Sequence, residues 1–156
     1  MRGVPGARFE FEWAPSNGRN AIAPSDVYPG DDFVDVIGLS VYNQSWKVAQ
    51  TEFAERWQEL TTMSYGLRWH SQFAAEHRKL RSYPEWGTGH RSRDGAGGGD
   101  DPFFIARMAE IVAAPDILYH SYFDFPDPDY NSLISSGQYP RAAEEFLRRF
   151  GARRSR

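Results

Sequence analysis

Cysteine is absent from all 156 residues. That excludes disulfide staples, thiolate nucleophiles and cysteine–zinc centres, and leaves the redox compartment open. Long apolar runs are missing too. The opening MRGVPGARFEFEW holds no stretch of signal-peptide length, and nothing later approaches the ~20 apolar residues of a membrane span. No membrane partner is expected, and secretion would require a longer precursor. Positive charge is not in excess, with 18 Lys and Arg against 21 Asp and Glu, so no nucleic-acid partner is expected. The basic ending RRFGARRSR is expected to be a solvated helix end. The four histidines, His70, His77, His90 and His120, lack metal-ligand spacing such as HExxH, so no metal and no cofactor are expected. GAGGGDD lacks the Lys-Ser/Thr ending of a phosphate loop and is expected to be a flexible active-site loop. No G-x-S-x-G nucleophile elbow occurs, and Asp26, Asp31 and Asp32 suit turns.

What the chain does have is 40% hydrophobic residues, enough for one core, and an aromatic content of 15%. Such rings serve a core or a sugar-binding cleft equally. One domain is expected, with its core over about 9–150 and a basic tail at 151–156. Phe9, Phe11 and Trp13 alternate with Glu10 and Glu12, predicting a strand over Phe9–Trp13. The nearly continuous apolar run Val34–Tyr42 suits a strand buried on both faces. Helical spacing follows from Thr51 to Lys79, with a break near Gly66. KLRSYPEWG predicts a short strand over Leu80–Tyr83, closed by Pro84 and Gly87. After the glycine run, Asp101-Pro102 supplies an N-cap and a first-turn proline for the helix FFIARMAEIVAA. A fourth strand is expected over Ile117–Phe123, and a last helix from Pro140 that stops at Gly151.

Strands alternating with helices predict a parallel α/β sheet of about four βα units. In such a sheet all strand C-termini open on one side, and functional residues gather there. The residues at those ends are Trp13 and Asn17, Tyr42 and Asn43, Glu85 and Trp86, and Phe123 to Phe125. A carboxylate, a phenol, amides and aromatic rings together suit the binding or cleavage of a sugar.

YPGDDFVDVIGLSVYN, KLRSYPEWG and GGGDDPFFIARM, in that order, resemble the second half of glycoside hydrolase family 26, the β-mannanase-type barrels. The resemblance runs from about Phe9 to Phe150. It implies half of a (β/α)8 TIM barrel, strands five to eight, in one partial domain spanning 1–156. It further implies a retaining hydrolase of a β-linked polysaccharide such as β-mannan, with Glu85 as nucleophile and Tyr42 orienting it. Trp13, Asn43, Trp86 and Trp46 become candidate substrate contacts, although Trp13 and Trp86 suit the barrel wall equally. Ser40 departs from the Asp that some relatives carry there. The family's acid/base glutamate follows the fourth strand, which this chain does not contain. Glu12 and Glu10 are the nearest substitutes in order along the sheet. The isolated chain is therefore expected to be inactive, to self-associate or to require a missing N-terminal half. The alternative is a non-catalytic remnant that binds carbohydrate.

Overall fold

The computed structural model describes residues 3–151. The basic tail expected at 151–156 lies outside them apart from Gly151. Five strands form one parallel sheet: β1 (Glu12–Trp13), β2 (Val36–Gly38), β3 (Val41–Tyr42), β4 (Leu80–Gly87) and β5 (Ile117–Tyr122). β2 and β3 are successive stretches along the same edge of β4, interrupted at Leu39 and Ser40. The order across the sheet is therefore the order along the chain: β1, then β2 with β3, then β4, then β5. The architecture is α/β and matches part of a TIM barrel, as the strand–helix alternation predicts.

Four helices supply the crossovers: α1 (Phe53–Thr62), α2 (Leu67–Glu76), α3 (Pro102–Val112) and α4 (Pro140–Phe150). Their limits follow from local chemistry. A Cβ on Gly66 would lie 2.3 Å from the Leu60 carbonyl oxygen, so only glycine fits the tight join between α1 and α2. The adjacent acids of GGGDD cap two different helices. Asp101 accepts from the Phe104 amide (2.9 Å) at the start of α3, while Asp100 accepts from the Ala142 amide (2.7 Å) at the start of α4. No helix among the described residues is long and apolar enough to cross a membrane.

All four helices cover one face of the sheet. Leu39, Val41, Tyr83 and Trp86 pack with Leu60 of α1, Phe104 and Met108 of α3, and Ala142 of α4. Val34 and Ile37 form a second cluster with Phe73 and Ala74 of α2. Behind it His70 is fully buried, and its Nε2–H donates to the Ile37 carbonyl oxygen (2.8 Å). Burial pushes that imidazole down to about 4.

Three strands differ from expectation, and the one expected over Val34–Tyr42 is split into β2 and β3. The first is shorter: only Glu12 and Trp13 pair with β2, and Phe9 is 53% exposed. The third is longer, running through Pro84 to Gly87. Proline is tolerated there because β4 is bulged. Two residues lie between Gly38 and Val41, whereas three lie between their partners Ser82 and Trp86, so β4 holds one residue more than its neighbour. A bulge needs no ladder hydrogen bond from every residue, which suits a residue without an N–H.

Candidate active site

The bulge in β4 decides where its side chains point. Strict alternation from Tyr83, which faces the helices, would send Glu85 outward as well and Trp86 to the opposite face. The extra residue resets the phase. Tyr83 and Trp86 both enter the helix-side core, and Glu85 turns to the cavity at the C-terminal end of the sheet.

There the Tyr42 hydroxyl, at the end of β3, donates to Oε1 of Glu85. Burial, followed by the hydrogen bond and charge of Glu85, holds the Tyr42 phenol above its ordinary range, so it stays a donor. The pair opens into a cavity of about 470 Å³. Gln44 and Arg91 line one part of it, and Phe123, Asp127, Asp129 and Tyr130 line the rest. Arg91 is drawn toward Asp94 (3.6 Å) and lies 5.5 Å from the centroid of the Trp46 ring. Trp46 is 65% exposed and stands beside the cavity next to Arg91.

The other candidate contacts lie elsewhere. Trp86 is fully buried, its ring against Tyr122 (5.0 Å) and Phe150 (5.9 Å) and its indole N–H on His120 Nδ1 (3.3 Å). It walls the core and offers no face to a sugar. Trp13 also turns outward, edge-on to Tyr28 (5.1 Å) and close to Phe73 (5.6 Å). Asn43 is 1% exposed. Its Nδ2 donates to Asp101 Oδ2 (2.8 Å) and Thr88 Oγ1 (3.2 Å), and its carbonyl oxygen accepts from the buried Arg56 guanidinium (2.8 Å). Asn43 therefore braces the end of β3 and has no free polar atom for substrate.

The glycine run is also corrected. Gly97, Gly98 and Gly99 are buried, with the Gly98 amide on the Asn43 carbonyl oxygen (2.7 Å) and the Gly99 amide on that of Gly89 (2.8 Å). A Cβ on Gly98 would lie 1.9 Å from Asn43 Nδ2. These glycines permit close backbone packing under the cavity; they do not form a flexible flap.

Glu12 occupies the sheet face opposite the helices. Ser82 Oγ and the Tyr119 hydroxyl (2.8 Å) donate to its two oxygens. Ser82 precedes Glu85 by three residues on β4, about 10 Å at the usual strand rise. Among the described residues no group of three or more His, Asp or Glu is placed to hold a metal ion. Gln44, Arg91, Asp127, Asp129 and Tyr130 were not foreseen in the sequence. All five stand in loops beyond strand ends, where no periodicity singles them out.

Residues 3–69 match the sequence model of Glycosyl hydrolase family 26. That match takes in Tyr42 and ends before Glu85. Among solved structures, a Cellulomonas fimi endo-beta-1,4-mannanase double mutant has TM-score 0.51 and 24% identity, covering 88% of this chain and 31% of that one. A modular endo-beta-1,4-mannanase from Cellulomonas fimi gives 0.48 at 23% identity, covering 86% and 30%. The catalytic domain of the Bacillus sp. JAMB-750 GH26 endo-beta-1,4-mannanase gives 0.47 at 20%, covering 86% and 37%. No curated protein matches the chain. The chain thus spans about a third of the length of these solved structures. Residues 3–69 are thus similar to glycosyl hydrolase family 26, and the fold is like part of the barrel of a mannanase.

Proposed function

We propose that this chain is the nucleophile-bearing part of a retaining glycoside hydrolase acting on a β-linked polysaccharide such as β-mannan. The observation that carries the reading is the Tyr42–Glu85 pair, a phenol donating to one carboxylate oxygen at the mouth of a cavity formed by strand C-termini. Oε1 is held by Tyr42, which leaves Oε2 to attack the anomeric carbon and form a glycosyl ester. The leaving oxygen departs with the bonding pair and takes a proton from an acid; water then cleaves the ester. Trp46, exposed beside the cavity, suits stacking on a sugar ring, and the match to family 26 and the likeness to a Cellulomonas fimi endo-beta-1,4-mannanase favour β-mannan as the polymer.

Glu12 is not placed to serve as the acid. A retaining pair sits about 5–5.5 Å apart, whereas Glu12 lies roughly two strand layers below Glu85. The sheet face opposite the helices is open, with Leu80, Leu118 and Tyr119 each more than 40% exposed. That exposure favours completion by another half-barrel, either one carrying the acid or a second copy of this chain. A carbohydrate-binding remnant without turnover is the second reading, and it rests on the distance of Glu12 from Glu85.

The test is intact mass after incubation with a fluorinated, activated mannoside, whose leaving group needs little protonation. The chain and Glu85→Gln are compared, each alone and mixed with an N-terminal half-barrel from a mannanase. The expected result is a glycosyl adduct that requires Glu85 and increases with the added half. Equal labelling of Glu85→Gln removes Glu85 from the mechanism. No labelling with a folded added half leaves the binding remnant.

A further inference from the structure

Tyr130 is the most enclosed side chain of the cavity wall, 5% exposed, and no motif singled it out. Its hydroxyl donates to the Asn43 carbonyl oxygen (3.0 Å) and accepts from the Gly89 amide (3.0 Å). One phenol therefore ties the residue after β3 to the loop after β4. Those segments carry the two members of the acid–phenol pair, since Tyr42 immediately precedes Asn43 and Glu85 lies just upstream of Gly89 on β4. The Tyr130 ring also meets the Tyr42 ring edge-on, with centroids 4.9 Å apart at 63°.

The anchor on the far side is rigid. Asn43 is held by Asp101, Thr88 and Arg56, so the Tyr130 hydroxyl grips a fixed point and not a mobile loop. Removing the hydroxyl leaves the Gly89 amide without its acceptor, while the Asn43 carbonyl oxygen keeps the Arg56 guanidinium and the Gly98 amide.

We propose that Tyr130 is the positioning residue of the Glu85–Tyr42 pair, clamping the ends of β3 and β4 so that the Tyr42 hydroxyl stays on Glu85. This deepens the hydrolase reading, on which its catalytic meaning rests, but the clamp itself is testable without any sugar. The measurement is ¹³C NMR of tyrosine Cζ signals, assigned with Tyr42→Phe, followed through an alkaline titration. In the parent chain Tyr42 is expected to remain a neutral phenol beyond about pH 11, a unit above ordinary tyrosine. In Tyr130→Phe, which keeps the ring and loses the clamp, Tyr42 is expected to titrate below that point. Tyr119→Phe, on the opposite sheet face, should leave Tyr42 unmoved. Identical Tyr42 titration in the parent and Tyr130→Phe overturns the proposal, even if the variant melts at a lower temperature. Should Tyr130→Phe fail to fold, amide exchange in the parent decides. A Gly89 amide protected well above the exposed loop amide of Arg93 supports the clamp, and one exchanging as fast overturns it. Failure of mannoside labelling would bear on the hydrolase reading alone.

Discussion

The two faces of the sheet are built differently. On the helix side Ile37, Tyr83 and Trp86 are wholly covered, while on the other side Leu80, Leu118 and Tyr119 remain 45%, 44% and 41% exposed. Each face carries polar groups, but they are treated differently. On the covered side His70 is kept neutral by burial, and the Tyr83 hydroxyl is pushed up to about 12, again by burial. On the open side Glu12 accepts from Ser82 and from an exposed tyrosine. One face holds the fold together, and the other leaves large apolar side chains exposed.

That contrast can be broken most directly at Trp86. Trp86→Ala removes the largest fully buried side chain and should cost about 3–5 kcal/mol, read as a lower midpoint in urea unfolding. A cost under about 1 kcal/mol would mean that the helix-side core is loosely packed. The next effect is one of pH. His70 in the fold protonates only near 4, while in the unfolded chain it does so near the ordinary 6.5, so between those values the unfolded state binds more protons. Stability should therefore fall as pH drops, by roughly 2 kcal/mol between pH 7 and 5. Urea unfolding at both values checks this, and His70→Asn should flatten the part of the dependence that His70 contributes. The smallest effect belongs to the open face. Leu118→Ser should change stability by less than about 0.5 kcal/mol, as an exposed position does. It should nevertheless weaken self-association in sedimentation, if that face is where copies meet. A large loss of stability on this substitution would erase the distinction between the faces.

Much of this architecture was legible in the sequence because periodicity and end signals are local. The helix break at Gly66, the Asp101 cap with Pro102 and the stop at Gly151 all depend on nearest neighbours in the chain. Tyr42 and Glu85 stood at strand ends, where functional groups collect. The direction of a side chain was harder to foresee. Pro84 suggested the end of a strand, whereas it marks a bulge inside one, and that single extra residue sends Trp86 into the core. Trp13 was lost for a related reason: alternation tells which residues share a face, but not which face the helices cover. The five unforeseen cavity residues come from loops whose meeting depends on the whole fold.

The bracing around Asn43 has a consequence for the time course of folding. Its bond to Asp101 closes a separation of 58 residues, and the Tyr130 bond to its carbonyl closes one of 87. Helical turns form from neighbours, whereas these links cannot reward the chain until long loops have been closed, with entropy that must be lost first. The cavity end is thus expected to be the last region to assemble, after the helices have docked on the sheet. Pulsed hydrogen exchange during refolding should show the Gly89 and Gly98 amides gaining protection later than those of α3. Protection of all of them in one step would mean that the cavity is assembled together with the core.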